Sequence, residues 1–168
     1  MANTHDLIQT ITLTGTQANI DFTSIPQTYT DLKLVYSCRS NDTQVNGGNF
    51  FYFQFNNTGF TGLSGKYMGG NGSSMYTGTS SPYGHMVPSD FTASVFSNGD
   101  LYLPNYTSSN NKAYAVVAVN ENNAATVNMV FFGGTWANTA AVTSIKLVPY
   151  SGSFVQHTTA SLYGIKNS

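Results

Sequence analysis

Ile145-Lys146-Leu147-Val148-Pro149-Tyr150-Ser151-Gly152-Ser153-Phe154-Val155-Gln156-His157-Thr158-Thr159-Ala160-Ser161-Leu162-Tyr163-Gly164-Ile165-Lys166-Asn167-Ser168 is the stretch that decides the fold class. Ile145 and Leu147 share one side of an alternating run, and Lys146 and Val148 share the other. That period of two belongs to a strand rather than a helix. Pro149 stops it, because proline cannot donate to a ladder. Ser151-Gly152-Ser153 is a turn, and a second strand closes on Leu162, Tyr163 and Ile165. The two strands form either a β-hairpin or a β-arch, and the second seals a sheet.

Working outward from that stretch, Lys112 to Asn120 and Ala124 to Phe132 read as a hairpin over Glu121-Asn122-Asn123. Both of its phases are apolar. Ala115, Val117 and Val119 oppose Tyr114, Val116 and Ala118, while Val127, Met129 and Phe131 oppose Val130 and Phe132. A sandwich strand ordinarily keeps one wet face. Either a loop of residues 57–90 covers the second phase, or another subunit does. We expect Tyr114, Val116, Ala118, Val130 and Phe132 to form an oligomer interface, or the alternate phase if the register is reversed. Upstream, Phe91–Phe96 and Leu101–Leu103 flank Ser97-Asn98-Gly99-Asp100, whose Asn-Gly pair predicts a second hairpin.

Residues 57–90 change character towards Gly, Ser, Thr, Asn, Tyr and Met. They predict short strands around Tyr67 and Tyr76 joined by long loops. Rigid aromatics among adaptable polar neighbours make a contact surface, with Tyr67, Met68, Tyr76 and Tyr83 as its anchors. Phe51, Phe53 and Phe55 form an aromatic stripe whose plain reading is core. In Asp31–Arg39, Leu32, Leu34, Tyr36 and Cys38 face inward. The first segment, Leu7–Leu13, places Leu7, Ile11 and Leu13 on one phase, and Ile20 and Phe22 make a short second strand.

The chain has 168 residues, enough for one domain over residues 1–168. Only 8% of residues are charged, the net charge is −1, and there are 11 Tyr, 11 Phe and 16 Gly. Strand formers dominate and helix formers are scarce. The fold class that follows is an all-β, single-domain antiparallel β-sandwich of about eight strands, its edges managed as in a two-sheet jelly roll or a Greek-key sandwich. The charge balance favours neither nucleic acid nor an anionic membrane. Cys38 is the single cysteine, so no intramolecular disulfide forms, which suits folding in a reducing cytoplasm. No signal-peptide pattern follows Met1.

Motifs for chemistry are missing. His5, His85 and His157 are far apart in sequence and show no metal-ligand spacing. The acids sit mostly beside turns, where Asp caps backbone. No nucleophile elbow or phosphate loop is present. We therefore expect no enzyme, no cofactor and no metal.

Phe22-Thr23-Ser24-Ile25-Pro26-Gln27-Thr28-Tyr29-Thr30-Asp31-Leu32 resembles a segment near the start of small virion structural proteins of tailed bacteriophages. Ile145-Lys146-Leu147, Ser151-Gly152-Ser153-Phe154 and Ser161-Leu162-Tyr163-Gly164-Ile165-Lys166 resemble the end of the same proteins. The resemblance implies a jelly-roll sandwich on the particle and carries over no functional residue. The expected function is a capsid decoration (cement) protein. It would bind the outer head surface and stabilise contacts between major capsid subunits. The alternative is a tail-fibre or spike module that binds a receptor or glycan. Expected partners are the major capsid protein and further copies of the chain, most simply as a homotrimer, with a host-surface glycan under the alternative. The chain would be made in the host cytoplasm and end on the outer surface of the virion.

Overall fold

A computed structural model describes residues 4–45, 49–123 and 127–166. Twelve strands run through it, with no helix among the described residues. The first four are β1 (His5–Thr12), β2 (Ile20–Phe22), β3 (Asp31–Ser37) and β4 (Phe50–Phe55). Then come β5 (Leu63–Gly70), β6 (Met75–Ser80), β7 (Tyr83–His85) and β8 (Asn98–Leu103). The last four are β9 (Lys112–Glu121), β10 (Val127–Trp136), β11 (Ile145–Pro149) and β12 (Thr159–Ile165).

They form two antiparallel sheets, an eight-stranded one in the order β1-β12-β3-β8-β9-β10-β5-β6 and a four-stranded one in the order β2-β11-β4-β7. The pairs β1·β12, β2·β11, β3·β8 and β4·β7 are nested one inside the next. That nesting is the double Greek key of a jelly roll. Twelve strands stand where about eight are expected: these eight make the roll, and four more are added to them. β5–β6 is inserted between β4 and β7, and β9–β10 between β8 and β11, and both hairpins extend the larger sheet beyond β8.

The closing stretch is an arch. β11 lies in the small sheet and β12 in the large one, so the chain crosses the sandwich between them. Phe154 is buried at the crossing and bridges to Gln17 and Ser40. Gly152 supplies the positive φ of 70° that the crossing requires. The inward side chains of both sheets form one contiguous core. It contains Leu32, Leu34, Tyr36 and Cys38 from the β3 run and Phe51, Phe53 and Phe55 from β4, all on the expected faces.

Three expectations need correction. Leu7 does not share the phase of Ile11 and Leu13, which turn to the core, and is 56% exposed. A bulge between Leu7 and Gln9 adds one residue to β1, so Ile8 packs against the core on one side of it and Ile11 on the other.

Phe91–Phe96 forms no strand, and Asn98-Gly99 opens β8 instead of turning a hairpin. Arg39 is the reason. Its guanidinium donates to the carbonyls of Thr92 at 2.7 Å, Val95 at 3.0 Å and Phe91 at 3.1 Å, which takes the acceptors a ladder would have used. Gly99 has a separate role. A Cβ there would stand 2.3 Å from the Tyr36 hydroxyl, so glycine makes room for that ring.

The strands expected around Tyr67 and Tyr76 form as β5 and β6, but the long loop expected between them is a short turn. β5 and β6 pair along their length around residues 71–74, where the Asn71 side chain accepts from the backbone N–H of Ser73 and Ser74. The glycines here serve ring packing. Tyr67 pairs with Gly78, and Tyr76 pairs with Gly69. Each ring lies over its partner's bare Cα, with a Cβ on Gly69 falling 2.3 Å from the Tyr76 ring.

The hairpin over Glu121-Asn122-Asn123 forms as expected. The strand start anticipated at Ala124 lies outside the described residues.

Candidate functional site

β9 and β10 settle which phase of the apolar hairpin faces out. Tyr114, Val116, Ala118, Val130 and Phe132 all lie in the core of the same chain, where β7 and Phe55 cover them. They are not available to a second subunit, which corrects the first assignment of the interface. The alternate phase, Ala115, Val117, Val119, Met129 and Phe131, is the outward one. Val117 is 40% exposed, whereas its neighbour Val116 is 1% exposed.

Register extends this phase across three strands. Phe131 stands beside Val117 on one side and Met68 on the other. Phe131 is 45% and Met68 50% exposed. β5 lies beside β10 in the same sheet and β7, also from residues 57–90, covers the inward phase, while Val117 and Phe131 on the outward phase stay exposed. Two shallow grooves flank Phe131. One of about 470 Å³ runs towards Met75 and Met129, and one of about 710 Å³ runs between Met68 and Val117. Contiguous exposed apolar surface, where extensive, is found where proteins meet other proteins, membranes or ligands. Removing it from water is worth about 25 cal/mol per Å².

The opposite face of the same strands is aromatic. Alternation along β5 sends Tyr67 inward and Met68 outward, so the four expected anchors divide. Tyr67, Tyr76 and Tyr83 come together, with ring centroids 5.5 Å apart for Tyr67–Tyr83 and 6.2 Å for Tyr67–Tyr76. They line a cleft of about 360 Å³ between β6 and the edge formed by β4 and β7, with Asn49, Phe50, Tyr52 and His85 completing its wall. Rings continue outside it: Phe50 contacts Tyr83 at 5.8 Å and stacks on Tyr150 at 4.6 Å.

The electrostatics of the cleft are those of a neutral site. No Asp, Glu, Lys or Arg lines it. Burial raises the Tyr83 hydroxyl well above the ordinary tyrosine value, and the neighbouring tyrosines add to the rise. Burial also raises Tyr52 and Tyr76. His85 is 5% exposed, and burial lowers its pKa. Its Nδ1 lies 3.2 Å from the Asn49 carbonyl, which can only accept, so Nδ1 carries the proton. Nε2 is then an acceptor, and it has no partner among the described residues. Leaving such a group buried and unmet costs about 1–3 kcal/mol.

Sequence reasoning missed His85, Phe50 and Tyr52. The signal was present: Tyr83 and His85 share a phase of β7, as Phe50 and Tyr52 share a phase of β4. The three histidines lie on separate elements, and no three of His, Cys, Asp and Glu gather into a metal site among the described residues. Cys38 is buried, and burial pushes its thiol up. Comparison of the chain with models of protein families, with curated proteins and with solved structures gives no match.

Proposed function

We propose that this chain is a structural protein of a tailed-phage virion, a decoration protein on the outside of the head that works by binding and not by catalysis. The observation that carries the reading is the uncovered apolar row Val117–Phe131–Met68 on the outer face of the sheet extension. A jelly roll whose own chain covers every face would have no need of a neighbour. This one presents aliphatic and thioether side chains where a solvated surface would carry charge, and soft Met side chains adapt to a partner's contours. The nested topology agrees with the fold implied by the Phe22–Leu32 and Ile145–Lys166 resemblance.

In the same reading the row is buried between copies of the chain in a homotrimer, which then sits on the major capsid protein. Low net charge leaves little repulsion between copies.

Imaging of virions tests the location. Immunogold label on the head, with trimeric density at the sites between capsid subunits, is the expected result. Label confined to the tail, or absent from purified particles, overturns the reading. The paired change Val117→Asp and Phe131→Asp is expected to give a folded monomer in sedimentation that no longer decorates heads. Undiminished decoration by that variant removes the row from the interface.

A further inference from the structure

The aromatic cleft lies on the opposite face of the extension from the docking row, so its role stands or falls separately. We propose that this cleft, between β6 and the β4–β7 edge, binds a neutral saccharide through the face of a sugar ring. At about 360 Å³ the cleft falls within the roughly 300–1,000 Å³ usual for small-molecule sites.

Its chemistry selects the ligand. A pyranose has an apolar face of C–H groups and an edge of hydroxyls, each of which both donates and accepts. Tyr67, Tyr76 and Tyr83 offer the complement, with flat apolar rings ending in groups that also donate and accept. Tyr76 already donates to the Met129 carbonyl at 3.2 Å, which fixes its ring. The hydroxyls of Tyr67 and Tyr83 hydrogen-bond to no described residue, so they are free to meet a ligand. With no charged side chain in the wall, a phosphate, sulfate or sialic acid would find no counter-charge.

His85 adds an independent observation. It lies on the same face of β7 as Tyr83, with ring centroids 5.9 Å apart, and its Nε2 is a buried acceptor without a protein partner. A sugar hydroxyl supplies the missing donor. A proline-rich peptide would also use the rings, but proline brings no N–H, so Nε2 would stay unmet. Tyr150, stacked on the wall residue Phe50, carries the aromatic surface beyond the cleft towards the next ring of an oligosaccharide.

The test uses the full chain on an array of neutral oligosaccharides ending in glucose, galactose, mannose or N-acetylhexosamine. Sialylated and sulfated glycans and a proline decapeptide serve as comparators. Binding to at least one neutral member is expected, confirmed by calorimetry. Tyr67→Phe with Tyr83→Phe removes only two unpartnered hydroxyls. Thermal stability should be unchanged and affinity reduced about tenfold or more. Leu7→Ser, at an exposed position on β1 far from both sites, should bind as the wild type does. No neutral ligand on the array, stronger binding of the anionic glycans or of the decapeptide, or full affinity in the double Phe variant would each overturn the proposal.

Discussion

The eight strands of the roll and the four strands of the extension use the same backbone geometry and finish their surfaces in opposite ways. On the roll, the outer face carries ion pairs across neighbouring strands: Lys33–Asp100 at 3.1 Å, Lys146–Asp21 at 3.4 Å and Lys166–Asp6 at 2.8 Å. All the ion pairs found among the described residues lie there. Each contributes little stability, about 0–1 kcal/mol, but it makes the face compatible with water. On the extension, the outer face carries Val117, Phe131, Met68 and Met75, and the inner face carries tyrosines laid over glycines. The roll also exposes single apolar side chains, Leu7, Val35 and Tyr102, but sets them among these charges. The extension meets water with side chains suited to other molecules; the apolar row lies on it, and the aromatic cleft lies between it and the β4–β7 edge of the roll.

The largest test of this contrast sets two adjacent residues against each other. Val116→Asp places an unpaired charge in the core and should cost about 3–5 kcal/mol in urea titration. Val117→Asp, one residue on, should cost no more than about 0.5 kcal/mol. Equal losses would mean that both phases of β9 are covered. Next is the roll's own irregular segment. Arg39→Met frees the carbonyls of Phe91, Thr92 and Val95. A loss of about 1.5–3 kcal/mol is expected, with hydrogen exchange rising first in residues 89–97.

Two glycines sharpen the comparison within the extension. Gly69→Ala should cost about 1–3 kcal/mol, because the new methyl meets the Tyr76 ring and the Met129 carbonyl. Gly133→Ala, with nothing within 4 Å, should be neutral or stabilise by up to about 1 kcal/mol. Reversal of that pair would show that the rings do not rest on the β5 backbone.

The smallest effect is in pH. Burial raises Tyr36 in the roll and Tyr114 in the extension above the ordinary tyrosine value. Their contribution is therefore fully present below pH ~10 and is lost as pH rises beyond it. Burial lowers His85, so its folded form resists protonation, and stability should fall as pH drops below ~6.5. Ultraviolet difference absorbance of the tyrosines and thermal melts across pH check both signs.

Much of the roll is legible in the sequence because its strands alternate cleanly. Leu32 to Cys38 and Phe51 to Phe55 state their inward faces outright, and Pro149 with Ser151-Gly152-Ser153 marks the arch. What escapes reading is set by contacts distant in sequence. A bulge moves Leu7 to the surface, and no local residue announces it. Arg39 cancels a strand at Phe91–Phe96 from more than fifty positions away. Gly69 and Gly78 look like loop residues until the rings of Tyr76 and Tyr67 are laid over them. The hairpin's double apolarity is plain, but which phase faces out depends on β7 lying across one side. Met68 separates from Tyr67 and Tyr76 for an equally simple reason: a group of anchors read as one loop is divided between two faces once it becomes a strand.

The place of β12 has a consequence in time. It fills the gap between β1 and β3, pairing Ile165 with His5 and with Asp31. Until Thr159–Ile165 has left the ribosome, β1 has no neighbour and β3 keeps an open edge. The large sheet cannot zip up progressively during synthesis; its first and last strands must wait for each other. Contacts so far apart in sequence make for slow folding. A nascent chain of this design passes through a stage with unpaired edges that invite aggregation. Chains truncated before Thr159 are expected to remain in that stage and to accumulate as insoluble material.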